Sequence, residues 1–174
     1  MTEYKGEDWM KQLYIKQKVF SLSGKFTVKD QQEKDVYFVE GSFMKIPKTF
    51  SIMNTKRDEV ALITKKVFSW IPKFFVEVNG REVLTIKKEF SFFKARYTID
   101  AAGIEVHGNW WDMDFQVVQH GQVVGKVSKE WFTWGDSYRV QILNEEMEAI
   151  IIAIVVAIDC VKADQAAASS AATT

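Results

Sequence analysis

Four side chains able to hold a metal ion, His107, Asp112, Asp114 and His120, fall within fourteen residues of one another. Alternation along a strand would put Asp112 and Asp114 on one face, and a hairpin would bring His107 near them. Both histidines, however, border turns beside glycine (Gly108 and Gly121), where a solvated loop histidine is the simpler reading, and the two aspartates then mark a polar strand face. Asp112-Met113-Asp114 also lacks the downstream Gly and Glu of a helix-loop-helix calcium site. We therefore assign no metal, and with it no cofactor.

Nucleophilic chemistry finds no foothold either. The chain contains no Gly-x-Ser-x-Gly elbow, no phosphate-cradling Gly-x-x-x-x-Gly-Lys and no His-Glu-x-x-His. Its one cysteine, Cys160, follows an apolar run directly and reads as a small core residue; a lone cysteine also excludes an intramolecular disulfide. Glu130 and Asp136 could in principle form an acid/base pair, but any chain of this size offers such a pair. No catalytic residue is assigned and no enzyme activity is expected. Trp110, Trp111, Trp131 and Trp134 could line a groove. Neighbours such as 110 and 111 point to opposite faces of a strand, so core packing with some tryptophan at strand ends is the preferred reading. Asp159, closing the apolar run, is expected at a barrel mouth, hydrogen-bonded to backbone or paired with a cation.

Charge is more informative in its distribution than in its sum. The 174 residues carry 23 basic and 23 acidic side chains, a balance that supplies no electrostatic reason to seek nucleic acid. Residues 1–100 nevertheless hold 19 Lys/Arg against 13 Asp/Glu, and residues 101–174 hold 4 against 10. The excess concentrates in Lys45, Lys48, Lys56, Arg57, Lys65, Lys66 and Lys73, opposed over that stretch only by Asp58 and Glu59. On neighbouring strands these side chains would form a patch for phosphate or anionic headgroups. They would equally suit the solvated outer face of a barrel, with lysines discouraging edge pairing.

The elements that must position these residues are mostly strands. Only 9 Gly and 2 Pro, with 13 Phe and 6 Trp, describe a globular chain, and its length suits one domain, residues 1–165, followed by an Ala/Ser/Thr tail at 166–174 expected to be mobile. Up to about residue 143 the chain runs at period two in about a dozen short segments rich in Val, Ile, Phe, Tyr and Thr, broken by turn residues. Asn79-Gly80 is the strongest hairpin signal, because both residues tolerate the positive φ of a type I′ turn; His120-Gly121 and Ala102-Gly103 signal more weakly. Antiparallel meander is the connectivity expected. A pattern recurs at segment ends, in Lys18-Val19-Phe20-Ser21-Leu22, Lys66-Val67-Phe68-Ser69-Trp70 and Lys88-Glu89-Phe90-Ser91-Phe92.

The periodicity changes at Asn144. An N-cap residue there precedes Glu145, Glu146 and Glu148, which favour the positive end of a helix dipole, and Ala149 to Ile158 follow as ten residues without a polar side chain. Its β-branched content would also suit a buried strand, but a helix apolar on every side must be buried on every side. Ten apolar residues make about 15 Å of helix, half the roughly 30 Å hydrocarbon thickness of a bilayer, so a membrane span is not expected. A barrel of about eight strands holds only its own side chains, whereas about eleven strands can enclose a helix. The arithmetic points to a mainly β fold, an antiparallel closed barrel of about twelve strands around a central apolar C-terminal helix.

Several motifs resemble one family. Trp134-Gly135-Asp136-Ser137-Tyr138 followed by Ala153-Ile154-Val155-Val156-Ala157-Ile158-Asp159, together with Leu13-Tyr14-Ile15-Lys16-Gln17-Lys18, Val39-Glu40-Gly41-Ser42-Phe43, and Gly108-Asn109-Trp110-Trp111 ahead of Asp114-Phe115, resemble bacterial members of the LURP-one-related family, within the tubby C-terminal-like superfamily. The resemblance, from about Leu13 to Lys162, implies a twelve-stranded barrel around a central helix. Relatives in that superfamily include tubby proteins, which bind phosphoinositides, and phospholipid scramblases. Two functions are therefore expected to compete: a peripheral module binding anionic lipid or phosphoinositide through the basic patch, and a cytoplasmic interaction or structural barrel serving a protein partner. The start, Met1-Thr2-Glu3-Tyr4-Lys5-Gly6-Glu7-Asp8, has no signal-peptide character, so a cytoplasmic location is expected, peripheral to a membrane under the first reading.

Overall fold

The computed structural model describes residues 10–16, 24–42, 46–66, 73–89, 96–101, 103–132 and 135–171, with backbone alone at 16, 88–89, 96–97, 131–132 and 135–136. Twelve strands occupy it: β1 (Lys11–Lys16), β2 (Lys25–Asp30), β3 (Asp35–Gly41), β4 (Lys48–Met53), β5 (Glu59–Lys66), β6 (Lys73–Val78), β7 (Arg81–Glu89), β8 (Arg96–Ala101), β9 (Ile104–Asn109), β10 (Asp114–Gln119), β11 (Gln122–Phe132) and β12 (Gly135–Ile142). One helix, α1 (Glu148–Ala171), follows. These are the segments that period-two patterning marks out, because each strand buries alternate residues, as in β6, where Phe74, Val76 and Val78 turn inward. Asn79 (φ 50°) with Gly80 (φ 72°), and His120 (φ 50°) with Gly121 (φ 75°), supply the paired positive φ values that two-residue hairpins need.

All pairings are antiparallel. The strands form one sheet in the order β8-β7-β6-β5-β4-β3-β2-β1-β12-β11-β10-β9, two meanders joined where β1 pairs with β12 from Lys11↔Ile142 to Lys16↔Ser137. The sheet curls almost into a ring. The expected antiparallel barrel of about twelve strands around a C-terminal helix is thus present and nearly closed, its two end strands β8 and β9 carrying no ladder between them among the described residues.

Residues Ile151 to Val161 of α1 are buried without interruption, packed with the inward side chains of the strands in a single core. Asn144 caps the start, its side chain accepting from the Glu146 amide at 3.0 Å, and a 3₁₀ turn (Glu145–Met147) leads into the helix. The helix continues past its buried part to Ala171, with residues 166–171 exposed. None of the described helices is long and apolar enough to cross a membrane. A glycine lets the helix sit close: a Cβ on Gly125 of β11 would lie 2.7 Å from Ile151 Cδ1.

The barrel has two distinct mouths. At the one where α1 begins, Glu148 is buried and accepts from Lys11 Nζ at 2.7 Å and from the Tyr37 hydroxyl at 2.8 Å. Burial and the Glu148 carboxylate push the Tyr37 hydroxyl well above its ordinary pKa. At the other, where α1 leaves the strands, Lys65 at the end of β5 pairs with Asp164. Antiparallel succession then sorts every strand end to one mouth or the other.

Candidate functional site

Strand register decides which of the basic residues come together. Lys48 opposes Lys65 across β4 and β5, Lys66 opposes Lys73 across β5 and β6, and Lys73 opposes Lys87 across β6 and β7. All five stand at the mouth where α1 exits. Directly opposed residues of an antiparallel pair share a face with Cβ atoms about 5 Å apart, so Lys66, Lys73 and Lys87 form a row on the outer face. Lys48 and Lys65 lie in the inward phase, below which Phe50 and Ile63 are buried, and reach the rim.

Two of the five are neutralised locally. Lys65 pairs with Asp164, and Lys87 with Asp100 at 3.0 Å. Lys48 lies over the Phe50 ring at 5.1 Å and Lys66 over the Phe75 ring at 4.9 Å; neither they nor Lys73 has a carboxylate partner among the described residues. Like charges opposed in a ladder repel. The row Lys66–Lys73–Lys87 thus holds three ammonium groups side by side with one local counter-charge among the described residues.

The remaining members of the basic run lie elsewhere. Lys56 and Arg57 sit in the turn between β4 and β5, at the opposite mouth, one strand length or about 20 Å away. Arg57 there is engaged: its guanidinium stacks 3.8 Å over Phe38 and meets Glu40 at 3.4 Å. Lys45 lies outside the described residues. The segments 67–72 and 90–95, which hold most of two recurring sequence patterns, also lie outside them, although the strands they join end at the lysine mouth.

A second corner of that mouth is mixed in charge. Asp159 is 7% exposed and accepts from the Tyr138 hydroxyl at 3.2 Å through Oδ1, while Oδ2 meets no hydrogen-bond partner among the described residues. Burial pushes its carboxyl up to about 6, against the opposing pulls of Tyr138 and Lys162. Lys162 itself is pushed down by burial and by Lys129, with Asp159 and Asp112 acting the other way. Cys160 is fully buried, and its thiol is pushed well up by burial and by the adjacent Asp159, which suits a core residue and not a nucleophile.

The residues considered for metal do not converge. Asp112 ends a 3₁₀ turn (Trp110–Asp112) that Asn109 caps, and Met113 takes a left-handed conformation with its side chain buried. Asp112 and Asp114 therefore do not share one strand as alternation suggested. His107 meets Glu105 at 2.6 Å, and His120 stands in the β10–β11 turn at the far mouth. Among the described residues no three of His, Cys, Asp and Glu cluster as metal ligands. Trp110 and Trp111 meet edge to face at 5.6 Å and pack against the core from this same 3₁₀ turn, so strand alternation does not govern them. The side chain of Trp131 and all of Trp134 lie outside the described residues, as does the side chain of Asp136.

Sequence reasoning missed Lys87, which cross-strand register adds to the row, and the Tyr138–Asp159 contact, which joins residues 21 apart that share no local motif. Comparison with known proteins agrees with the architecture. The Arabidopsis thaliana protein AT5G01750, known from its X-ray structure, is similar in fold, with a TM-score of 0.56 at 14% identity over 87% of this chain and 91% of that one. "Uncharacterized protein YxjI" of Bacillus subtilis (strain 168) is 32% identical over 152 residues, 87% of this chain and 94% of the relative. The LURP-one-related profile matches residues 11–159, and the chain belongs to that family.

Proposed function

We propose that this protein is a non-catalytic barrel that binds the phosphate-bearing headgroups of anionic lipids at the mouth where α1 exits. The observation that supports it best is the in-register row Lys66–Lys73–Lys87, with Lys48 beside it, in which, among the described residues, repulsion between neighbours is relieved by a carboxylate only at Lys87. An anionic surface supplies the missing counter-charge, at about 1 kcal/mol per basic residue close to it. The resemblance to tubby-type barrels points the same way. Lys56 and Arg57 take no part in this face.

The test is sedimentation of the full chain with phosphatidylcholine vesicles, with and without 20 mol% (about one lipid in five) phosphatidylserine, across a salt series. Exposed charges are screened within about 10 Å at 0.1 M salt, so binding to the anionic vesicles should fall steeply as salt rises, and neutral vesicles should retain little protein. Equal retention by both vesicle types, or by neither, would favour the protein-interaction reading instead.

A further inference from the structure

Ile46 is 71% exposed, far beyond the other exposed large apolar residues of the described chain, Leu143 at 38% and Val123 at 37%. It stands at the lysine mouth. Ile46 precedes Lys48 by two residues in the connection from β3 to β4. That connection is closed at its base, where the Ser42 amide donates to the Thr49 carbonyl at 2.8 Å and the Thr49 amide donates to Ser42 Oγ at 2.9 Å. A branched apolar side chain thus stands exposed two residues from β4, at the mouth that carries three lysines without carboxylate partners among the described residues.

We propose that this mouth seats on the lipid bilayer itself, with Ile46 entering the boundary between headgroups and acyl chains while Lys48, Lys66 and Lys73 engage the phosphates. The inference rests on the headgroup reading above and goes beyond it by adding an apolar insertion at Ile46. A soluble phosphate compound satisfies the lysines but offers nothing to Ile46. A bilayer presents anionic phosphate and hydrocarbon within a few ångströms of each other, the combination this face displays.

The experiment measures partition of wild type, Ile46→Ser and Ile46→Leu onto phosphatidylcholine vesicles with about one-fifth phosphatidylserine, alongside calorimetric binding of inositol hexakisphosphate as a soluble probe. Ile46→Ser should lower vesicle partition about tenfold, Ile46→Leu should hold it near wild type, and both should bind the soluble probe as wild type does. Because Ile46 is exposed, all three chains should share one melting temperature. Vesicle binding by wild type that Ile46→Ser leaves unchanged overturns the insertion and leaves the lysine reading standing. Wild type that binds the soluble probe but no vesicle overturns the bilayer as occupant. Wild type that binds neither overturns both.

Discussion

Asp159 closes the buried run of α1, and its carboxyl, raised by burial from 3.8 to about 6, makes stability depend on pH. The folded state holds the proton more tightly than the unfolded chain does. The contribution is therefore fully present below about pH 4 and lost as pH rises through about 6, where the buried group must ionise. Asp159→Asn keeps an acceptor for the Tyr138 hydroxyl and removes the ionisation. Unfolding titrations should show it more stable than wild type by about 1–2 kcal/mol at pH 7 and near wild type at pH 4. A variant destabilised at pH 7 would mean that attraction to Lys162 outweighs burial. The sequence placed Asp159 at a mouth because it closes the apolar run; its partner Tyr138 stayed hidden, since a contact from strand to helix leaves no mark in local spacing.

Strands were legible wherever one side of them faces the core, because alternation in sequence is alternation in burial, as along Phe50 and Ile52 of β4. The same logic failed at Trp110–Asp112, where a 3₁₀ turn and the left-handed Met113 break the alternation before β10 begins. It was silent on how β8 and β9 meet, since side-chain period says nothing about which strands share a ladder. Gly125 is a comparable blind spot. By strand propensity alone, Gly125→Val should stabilise β11. Packing predicts the opposite, because a side chain there collides with Ile151, and thermal or denaturant unfolding should show a loss of about 1–3 kcal/mol. Gly125→Ala should lose less, and trimming the colliding methyl with Ile151→Val should recover part of that loss in the double variant. A stabilised Gly125→Val chain would contradict the close approach of helix and sheet.

For the whole molecule, what matters is which mouth the charges face. A basic run read along the chain from Lys45 to Lys73 spans both mouths, because the β4–β5 hairpin leaves the lysine mouth, turns at Lys56 and Arg57, and returns. Nearness in sequence therefore overstated the patch at one end, while cross-strand register extended it to Lys87 at the other. The barrel and its central helix were more legible than the site, since burial of α1 follows from its own apolar residues whereas a patch depends on pairing. Two charge-matched double variants separate the mouths: Lys66→Glu with Lys73→Glu at the helix-exit mouth, and Lys56→Glu with Arg57→Glu at the opposite one. Sedimented with phosphatidylserine-containing vesicles at low salt, the first should lose most of its binding, and the second should bind nearly as wild type; equal losses in both, or a greater loss in the second, would contradict the helix-exit mouth as the binding face.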